Sequence, residues 1–535
     1  MKMSHRKLMM SVAFFGFSAS TAFAQNVTYQ DVLGGLKNPE QWLSVGGDYA
    51  GRRHSPLTQI TPANASKLTP VWTSQTGVTG NFEATPIVLN GILYFTGASN
   101  HAWAIDGKTG RQLWHYQRTL PPGLKVCCGP VNRGFAAQGD RLFMTTLDAH
   151  LVALEMKTGK VVWDIELADY KQGYASTGAP LLVKDKLIVG IAGGEYANRG
   201  FLDAYDVTGK RVWRLWTVPA AGEPGSETWP AEMLERGGGP TWVTGTYDPD
   251  LNMLYWGTGN PNPDWDGSNR PGDNLYTAAL LAIDADSGKL KWHFQFTPHD
   301  THDWDANQVP VLADVTIAGR PRKVVMQANR NGFLYVLDRT TGEFIRASSY
   351  GNQNWASGID AKGKPIELPG HTPTDEGTMT CPDLYGNTNF MSPSYDASRG
   401  LFFVTVRETC ARYVRRNAPS GGIGALTLGG TVVPLETPRT GALRAIDPLT
   451  GARKWEVAYA GPAWAGVTST ASGMVFSGDH AGNFLAVDAA TGKTLYTYFT
   501  GAPIFAPPTT YSIDGRQYVV VPSGLTVVAL ALPPQ

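Results

Sequence analysis

The segment Ile105-Asp106-Gly107-Lys108-Thr109-Gly110-Arg111-Gln112-Leu113-Trp114 contains a short arrangement of residues that recurs six more times along the chain. Each copy has an apolar residue, an acidic residue, a variable spacer, Thr or Ser, and then Gly. Most copies place Trp or another large apolar residue about four positions later. The other copies begin at Leu154, Tyr205, Ile283, Leu337, Ile446 and Val487. Because Asp and Thr favour tight turns and Gly tolerates positive φ, each copy predicts two strands joined by a turn.

The spacing of the copies predicts a β-propeller. Their first residues lie 49, 51, 78, 54, 109 and 41 residues apart, and a unit of ~40–50 residues fits a four-stranded blade. The two long gaps then require insertions, at 219–239 and within 352–436. A first unit around 68–73 lacks the repeated arrangement, and we expect it to pair with C-terminal strands at 518–522 and 525–532. The prediction is an all-β, eight-bladed propeller; seven unrelated hairpins in a sandwich fit the uniform repeat less well.

The composition excludes several classes of protein. Forty-five basic and 45 acidic residues give a net charge of zero, and only 17% of residues are charged, so no nucleic-acid partner is expected. A hydrophobic fraction of 42% is enough to form a large core and excludes general disorder. We therefore expect residues 25–535 to form one domain, although length alone would suggest three or four at ~150 residues each.

Residues 1–24 are predicted to be a cleaved signal peptide. Lys2, Arg6 and Lys7 precede a mostly apolar run at 8–17, and Ala-Phe-Ala at 22–24 is typical of a signal-peptidase site. The run is too short to cross ~30 Å of hydrocarbon, and no other stretch approaches the length of a membrane span. We therefore expect a protein exported to a bacterial periplasm.

An exported chain can form disulfides, and four cysteines permit three pairings. Cys127 and Cys128 are adjacent, so their Cα atoms lie ~3.8 Å apart, which is shorter than the usual ~4.4–6.8 Å. A bond between them would form a strained ring, and pairing of each with another cysteine remains an alternative. The sequence has no Cys-x-x-Cys-His motif for covalent haem. Any redox chemistry must then use another cofactor and an external electron acceptor.

Three Gly-rich clusters outside the repeated arrangement carry candidate metal ligands, because loops of different blades converge at the mouth of a propeller channel. They occupy 193–200, 257–264 and 297–305, and contain Glu195, Asn260, Asp303 and Asp305. Carboxylate and amide oxygens favour a hard cation. In an extended segment Asp303 and Asp305 would point to the same side. The alternative is that Asp303 caps a turn and Asn260 begins one.

The chain resembles the pyrroloquinoline-quinone (PQQ) dependent alcohol dehydrogenases of the methanol and ethanol dehydrogenase large-subunit type, over nearly all of residues 25–535. The resemblance rests on Glu83-Ala84-Thr85-Pro86, Cys127-Cys128-Gly129-Pro130-Val131-Asn132-Arg133-Gly134, Gly239-Pro240-Thr241-Trp242, Tyr255-Trp256-Gly257-Thr258-Gly259-Asn260-Pro261, Arg270-Pro271-Gly272-Asp273-Asn274 and the Asp303 segment. That family consists of eight-bladed propellers, in agreement with the repeat.

The resemblance implies a set of cofactor contacts. PQQ, a flat tricarboxylate ortho-quinone, would lie between Trp242 and a Cys127–Cys128 disulfide. Arg133 and Arg330 match positions that hold carboxylate or quinone oxygens, which suit a guanidinium fork. The other matching positions are Glu83, Thr177, Gly194, Thr241 and Asn389, and Cys381–Cys410 matches a second disulfide.

The resemblance also implies the metal ligands and the base. Glu195, Asn260 and Asp303 match the ligands, and Asp303 also matches the base that takes the alcohol proton while hydride moves to the metal-polarised quinone. Asp305 resembles the lanthanide-dependent branch, because a further carboxylate favours a trivalent ion. We predict a lanthanide, with Ca²⁺ as the alternative; an Asp305 that makes no metal contact is a second alternative.

The resulting hypothesis is a periplasmic quinoprotein that oxidises an alcohol to an aldehyde or ketone and passes electrons to a soluble cytochrome c. One competing hypothesis is a non-catalytic propeller scaffold of the outer-membrane assembly type, which would need neither the adjacent cysteines nor the carboxylates. Another is a PQQ sugar or aldehyde dehydrogenase. The resemblance suggests a homodimer. Segments 219–239 and 381–435 are expected to shape the pocket rim, and the identity of the alcohol is left open.

Overall fold

The computed structural model describes residues 26–416, 421–435 and 439–534, whose regular secondary structure consists almost entirely of β-strands. The predicted signal peptide, residues 1–24, lies outside the described residues. One α-helix, α1 (Tyr29–Gly34), is capped by Thr28, whose hydroxyl accepts from the Asp31 N–H while the Asp31 carboxylate accepts from the Thr28 N–H. Short 3-10 helices lie at Gly35–Lys37, Ala65–Lys67, Ala98–Asn100, Tyr170–Gln172, Gly194–Tyr196, Ser226–Thr228 and Ala231–Met233. Across the described ranges no helix has the length and apolar character needed to cross a membrane.

Most strands follow one another in antiparallel groups of four. Two strands precede the first group, β1 (His54–Ser55) and β2 (Thr69–Gln75). Sheet 1 contains β3 (Ile87–Leu89), β4 (Ile92–Thr96), β5 (His101–Asp106) and β6 (Gln112–Gln117), and sheet 2 contains β7 (Ala136–Gln138), β8 (Arg141–Thr145), β9 (His150–Glu155) and β10 (Val161–Glu166). Sheet 3 contains β11 (Leu181–Val183), β12 (Lys186–Gly190), β13 (Phe201–Asp206) and β14 (Arg211–Trp216), and sheet 4 contains β15 (Thr246–Asp248), β16 (Met253–Gly257), β17 (Ala279–Asp284) and β18 (Leu290–Gln295). Sheet 5 contains β19 (Val311–Ile317), β20 (Arg320–Ala328), β21 (Phe333–Asp338) and β22 (Phe344–Ser349).

The remaining strands form three further sheets of this kind and two smaller ones. In chain order they are β23 (Ala356–Ile359), β24 (Pro365–Glu367), β25 (Thr378–Thr380), β26 (Ser394–Asp396), β27 (Leu401–Glu408), β28 (Ala411–Arg415), β29 (Gly430–Pro434), β30 (Thr440–Ile446), β31 (Arg453–Tyr459), β32 (Thr468–Thr470), β33 (Met474–Gly478), β34 (Asn483–Asp488), β35 (Thr494–Phe499), β36 (Thr509–Ile513), β37 (Arg516–Ser523) and β38 (Thr526–Ala531). Sheet 6 is β26-β27-β30-β31, sheet 7 is β32 to β35 with β1 parallel to β32, and sheet 8 is β36 to β38 with β2. The smaller sheets are β23-β24 and β25-β28-β29.

One of the two predicted insertions lies wholly between two sheets, whereas the other also contains strands of a sheet. Residues 219–239 contain two 3-10 helices and no strand, so they are an insertion between sheets 3 and 4. The range 352–436 is only partly an insertion, because β26 and β27 belong to sheet 6 while β23, β24, β25, β28 and β29 form the small sheets.

The N-terminal strand β2 completes the C-terminal sheet. It pairs antiparallel with β38, with Thr69 opposite Ala531 and Gln75 opposite Thr526. This confirms the predicted pairing of the first unit with the end of the chain, so one sheet joins the two ends of the fold.

Tryptophan side chains of the repeated arrangement form hydrogen bonds to the neighbouring sheet. Trp114 at the end of one copy donates its indole N–H to the carbonyl of Met156, 2.8 Å away in the next copy. Gly159 of that copy has φ +71°, and a Cβ added there would lie 2.7 Å from the Trp114 ring. Glycine is therefore needed both for the turn and for the close approach of the indole. Corresponding indole bonds join Trp72 to Gly107, Trp163 to Val207, Trp213 to Ala285 and Trp455 to Ala489.

Candidate active site

Almost all of the candidate residues lie at one end of the sheets. In a four-stranded antiparallel sheet, the start of the first strand, the turn between strands two and three, and the end of strand four share one end. Residues that precede a first strand are Glu83, Arg133, Thr177, Trp242, Asp303, Asp305 and Asn389; residues between second and third strands are Gly194, Glu195, Asn260 and Arg330. The repeated turns lie between strands three and four, at the opposite end, so the repeat builds the scaffold while the other end is free to carry a site.

Arg133 is the centre of one polar cluster. Its Nη2 lies 2.7 Å from the Glu83 carboxylate, and its Nη1 donates to the Thr177 hydroxyl at 2.8 Å. The guanidinium carbon lies 4.7 Å from the Trp242 ring centre and 5.0 Å from that of Phe390. Burial raises the pKa of Glu83, although the charge of Arg133 acts in the opposite direction. The guanidinium of Arg133 therefore lies over the rings of Trp242 and Phe390 while it pairs with Glu83.

Arg330 is the centre of the second cluster. Its Nη2 lies 2.9 Å from the Asp305 carboxylate, and its Nη1 lies 3.4 Å from the Asp303 carboxylate and donates to the Asp303 carbonyl at 2.6 Å. The indole N–H of Trp242 donates to Asp305 Oδ2 at 2.8 Å, and the backbone N–H of Asn260 donates to Asp305 Oδ1 at 2.6 Å. Asp305 thus joins segments from three different parts of the chain.

The segment around Asp303 differs from the sequence expectation. Asp303 has φ +60°, in the left-handed region, so the backbone there is not extended and strand alternation does not set its direction. Asp303 and Asp305 nevertheless reach the same guanidinium. Both carboxylates contact Arg330, which lies on the β20–β21 connection.

Two buried oxygens have the character of metal ligands. Within the described part of the chain, Glu195 Oε2 and Asn260 Oδ1 have no hydrogen-bond partner. The other end of the Asn260 side chain is held, because Nδ2 donates to Asp264 Oδ1 at 2.9 Å. Since a buried polar atom without a partner is costly, these two oxygens fit a cation with oxygen ligands.

The raised pKa values of the surrounding carboxyl groups also favour a bound cation. Burial raises the pKa of Glu195 to about 7, and the negative charge of Asp305 adds to that effect. Burial likewise raises the pKa of Asp264 and of Asp303 well above the ordinary range of a carboxyl group. A cation would favour the ionised forms of all these groups. The donor set therefore fits a metal ion bound by carboxylate and amide oxygens.

Both predicted disulfides are present. Cys127 is bonded to Cys128, which excludes the alternative pairings, and Cys381 is bonded to Cys410. The Cys127 and Cys128 sulfurs and a Glu195 carboxylate oxygen lie within 4.8 Å of one another, with both cysteines exposed. Since the sulfurs are bonded to each other, they offer no thiolate to a metal. The pair instead forms an exposed border of the carboxylate cluster.

Three predicted cofactor residues have local structural roles. The Thr241 hydroxyl accepts from the Ile191 N–H at 2.9 Å and donates to the Phe201 carbonyl at 2.5 Å. A Cβ added to Gly194 would lie 2.7 Å from Pro240. Asn389 donates to the Tyr385 carbonyl at 3.0 Å. These contacts shape the loops, and contact of the three residues with a cofactor remains a prediction.

Sequence reasoning missed Asp264 and Phe390. Asp264 ends the quoted cluster at 257–264 and lies four residues after Asn260, a spacing that could have suggested it as a partner. Phe390 follows Asn389, and nothing in the pattern distinguishes it from a core residue. Part of the predicted rim segment also covers the site: the Gly424 and Thr427 N–H groups donate to the carbonyls of Tyr196 and Glu195, both at 2.8 Å.

Comparisons of the sequence and of the fold with known proteins indicate one enzyme family for most of the chain. The family described as glucose/ethanol/alcohol dehydrogenase, beta-propeller domain, matches residues 42–347, and the outer membrane protein assembly factor BamB family matches residues 439–532. The quinoprotein alcohol dehydrogenase PedH of Pseudomonas putida is 38% identical, covering 93% of this chain and 88% of its own. The lanthanide-dependent methanol dehydrogenase of Methylacidiphilum fumariolicum is 36% identical, covering 98% and 91%. Among solved structures, a europium-containing methanol dehydrogenase superimposes with a TM-score of 0.89 at 33% identity, covering 94% of this chain and all of that one.

The all-β fold of four-stranded sheets and the family match define the class of this protein as a β-propeller dehydrogenase. The match to the dehydrogenase family covers more than half of the chain and nearly all of the site residues. The chain therefore belongs to the PQQ-dependent alcohol dehydrogenase family.

Proposed function

We propose that this protein oxidises an alcohol to an aldehyde or ketone, using PQQ and one metal ion. The observation that carries the proposal is the pairing of Arg330 with both Asp303 and Asp305, beside the partnerless oxygens of Glu195 and Asn260. Buried carboxylates and buried oxygens without partners destabilise a fold, and a bound cation would offset this cost. A non-catalytic scaffold does not need such a group of residues, whereas an active site does.

The residues around Trp242 would hold the cofactor. Trp242 offers a ring face and the Cys127–Cys128 disulfide a second surface, while Arg133 and Arg330 offer guanidinium forks for carboxylate and quinone oxygens. Glu83, Thr177, Gly194, Thr241 and Asn389 complete the proposed cofactor set.

The proposed chemistry divides between the cofactor and this chain's own residues. When bound, PQQ supplies a carbonyl carbon that accepts hydride, and its metal ion acts as a Lewis acid. Asp303 accepts the hydroxyl proton of the alcohol on a carboxylate oxygen. Burial strengthens the carboxylate as a base by raising the pKa of Asp303, while the charge of Arg330 opposes that rise and favours the ionised form.

We propose Glu195, Asn260, Asp303 and Asp305 as the metal ligands and a lanthanide as the ion. Glu195, Asp264, Asp303 and Asp305 together with Arg330 give a formal charge of −4 + 1 = −3 when all are ionised, which a trivalent ion balances better than Ca²⁺ does. The similarity to a lanthanide-dependent and a europium-containing methanol dehydrogenase supports the same choice. Calcium is the alternative.

We further propose that residues 25–535 form one propeller of eight blades. Eight sheets of at least four strands occur among the described residues, in chain order, and the β2–β38 pairing joins the two ends. Indole bonds of the Trp114 type between successive sheets support this arrangement.

We also propose a cellular location, an electron acceptor and an assembly for this protein. A signal peptide at 1–24 would deliver the protein to the periplasm, where both disulfides can form. A soluble cytochrome c would accept the electrons, and a homodimer is the proposed assembly.

The scaffold hypothesis has one observation in its favour, the BamB family match to residues 439–532. That region contains none of the proposed cofactor and metal residues, so the match bears on sheets 6 to 8 rather than on the site. A PQQ sugar or aldehyde dehydrogenase would share the site but has no specific contact in its favour.

The test is reconstitution of the purified, metal-free protein with PQQ and either La³⁺ or Ca²⁺, followed by dye-linked oxidation of a panel of alcohols. We expect turnover with PQQ plus La³⁺ and little with Ca²⁺. Turnover with Ca²⁺ alone would keep the activity and reject the lanthanide. Absence of both turnover and PQQ binding with either metal would reject the proposed function in favour of the scaffold.

A further inference from the structure

Arg270 is a fully buried side chain that joins two loops of the proposed metal site. Its Nη2 donates to the carbonyl of Pro263 at 2.8 Å and to the carbonyl of Asp300 at 2.6 Å. Pro263 lies three residues after Asn260, in the loop between β16 and β17. Asp300 lies three residues before Asp303, in the loop between β18 and β19. The same guanidinium therefore ties the loop of one proposed metal ligand to the loop of another.

Arg270 is itself held by Asn274, four residues later. Its Nη1 donates to Asn274 Oδ1 at 2.8 Å, and Asn274 Nδ2 donates to the Arg270 carbonyl at 2.9 Å. A backbone bond joins the same segment to the loop that contains Asp303, since the His299 N–H donates to the Asp273 carbonyl at 3.2 Å. The contact between the two loops therefore does not depend on the guanidinium alone, and the guanidinium is fixed in one direction.

Asp300 restrains the backbone on both sides of Asp303. Its Oδ1 accepts from the His302 N–H at 3.2 Å, and its Oδ2 accepts from the Trp304 N–H at 3.0 Å. Such bonds from an aspartate to nearby N–H groups stabilise a turn. Asp303, between the two donors, has φ +60°, a conformation that a residue with a side chain keeps only where its surroundings enforce it. The two bonds to Asp300 supply that restraint.

The neighbours of Asp303 are also anchored by their side chains. The rings of His302 and Trp304 stack with centroids 4.3 Å apart and planes 16° apart. His302 Nε2 donates to the carbonyl of His371 at 2.8 Å, and the Trp304 indole donates to the carbonyl of Asp383 at 3.2 Å. Both neighbours are therefore fixed in the fold, and the direction of the Asp303 carboxylate follows from the backbone between them.

We infer that Asp300 and Arg270 are positioning residues for the proposed reaction. Asp300 sets the direction of the Asp303 carboxylate, and Arg270 sets the distance between the loops of Asp303 and Asn260. This inference rests on the proposed alcohol oxidation. Both residues act through other groups, because their hydrogen bonds go to groups of the chain itself.

The first experiment compares Asp300→Ala with Asp300→Asn. Both variants keep the backbone carbonyl that accepts from Arg270, so they test the carboxylate alone. In Asp300→Ala we expect the Tb³⁺ affinity of the metal-free protein to fall about 10-fold, as for other partners of metal ligands. In the reconstituted enzyme kcat should fall about 10- to 100-fold with little change in KM, as for a misplaced base. Asp300→Asn keeps one of the two acceptors and should restore part of both values.

Asp396→Ala is the matched control. Asp396 is also buried and accepts from the N–H groups of Ser398, at 2.9 Å, and Arg399, at 3.2 Å, in the β26–β27 turn at the opposite end of the sheets. The substitution should destabilise the fold but leave Tb³⁺ affinity and kcat close to the wild-type values. Equal losses of affinity and kcat in Asp300→Ala and Asp396→Ala would overturn the inference.

A double-mutant cycle shows whether Asp300 acts through Asp303. In an Asp303→Ala background, Asp300→Ala should cost much less Tb³⁺ affinity than it does alone, because the side chain that it positions is already absent. Equal losses in both backgrounds would indicate a general effect on structure and reject the positioning role. Arg270→Lys keeps the charge without the fork that reaches both carbonyls, and it should weaken Tb³⁺ binding about 10-fold. Unchanged binding would remove Arg270 from the inference.

A crystal structure of metal-free Asp300→Ala separates this inference from the proposed function, since it needs neither metal nor turnover. We expect residue 303 to leave the left-handed region and its carboxylate to move away from Arg330 Nη1, which lies 3.4 Å away in the wild-type protein. Such a shift would support the positioning role even if the wild-type protein oxidises no alcohol. An unchanged φ and an unchanged distance would overturn it even if the protein is an active dehydrogenase. Asp300→Asn serves for the same comparison if the Ala variant does not fold.

Discussion

The indole N–H of Trp242 donates a 2.8 Å hydrogen bond to the carboxylate of Asp305. This bond joins the ring proposed to stack on PQQ with a carboxylate proposed to bind the metal. Asp305 also lies 2.9 Å from Arg330, whose guanidinium carbon is 5.7 Å from the same ring. The proposed cofactor surface and the proposed metal ligands are therefore joined by direct contacts, and we expect a substitution in one to change binding at the other.

Trp242→Phe tests this coupling. Phenylalanine keeps a flat ring but removes the N–H donor, so Asp305 should lose part of its orientation and the metal affinity should fall about 10-fold, as for other partners of metal ligands. Luminescence titration with Tb³⁺ measures the affinity directly. Trp292→Phe, at a tryptophan in β18 of sheet 4, is the control and should bind Tb³⁺ normally. Equal affinities in the two variants would contradict the coupling.

Asp303→Asn should abolish most of the turnover while leaving the fold intact. The amide keeps the shape of the side chain but cannot accept the alcohol proton, and general bases contribute about 10²–10⁴-fold to rates. Steady-state oxidation by the reconstituted enzyme measures the loss, with circular dichroism as the check on folding. Asp266→Asn is the control: it removes a carboxylate two residues after Asp264 that accepts from the Ser268 N–H. Its activity should remain close to normal. Retained activity in Asp303→Asn would remove Asp303 from its role.

Asp305→Ala should shift the metal preference from La³⁺ towards Ca²⁺. Removing one carboxylate reduces the formal negative charge of the cluster from −3 to −2, and a trivalent ion loses more attraction than a divalent one. Competition between the two ions for the purified protein gives the affinity ratio. An unchanged ratio would place Asp305 outside the coordination shell, as a partner of Trp242 and Arg330 only.

Asp264 should act as a positioning residue for Asn260. Its carboxylate accepts from Asn260 Nδ2 at 2.9 Å and so keeps the partnerless Oδ1 in a fixed direction. Asp264→Ala should weaken Tb³⁺ binding about 10-fold. Asp264→Asn can still accept from Nδ2 and should restore part of the affinity. If charge alone matters, the Ala and Asn variants will bind equally weakly, and the positioning role is wrong.

The repeat carries most of the information about the fold. Seven copies of one turn predicted the all-β class, because the turn chemistry is local and recurs. The β2–β38 pairing was a separate prediction for the first unit, which lacks the repeated arrangement, and the structure confirms it. The insertion at 352–436 was only partly foreseen. Strands β26 and β27 precede the sixth copy of the repeat, so spacing alone could not assign them to sheet 6.

The site was predictable in its residue types and much less so in its contacts. Glu195, Asn260, Asp303 and Asp305 were predicted because their carboxylate and amide oxygens lie in Gly-rich connections outside the repeat and suit a hard cation. The left-handed backbone of Asp303 and the partner of Asn260 depend on tertiary packing and leave no local pattern. Arg270 belongs to one of the motifs that carry the resemblance, but only the structure reveals that its guanidinium contacts the carbonyls of Pro263 and Asp300.

The indole bonds between sheets give a stability test with an internal control. Trp114→Phe removes the 2.8 Å bond to the Met156 carbonyl, so the free energy of unfolding should fall by about 1 kcal/mol from this bond, in addition to the loss of packing. Trp292 packs on Gly342 in the same way, but its buried indole N–H has no hydrogen-bond partner among the described residues. Trp292→Phe removes an equal volume without breaking a bond and should therefore destabilise less. Urea unfolding followed by circular dichroism gives both values, and a larger loss in Trp292→Phe would show that packing, rather than the indole bond, holds neighbouring sheets together.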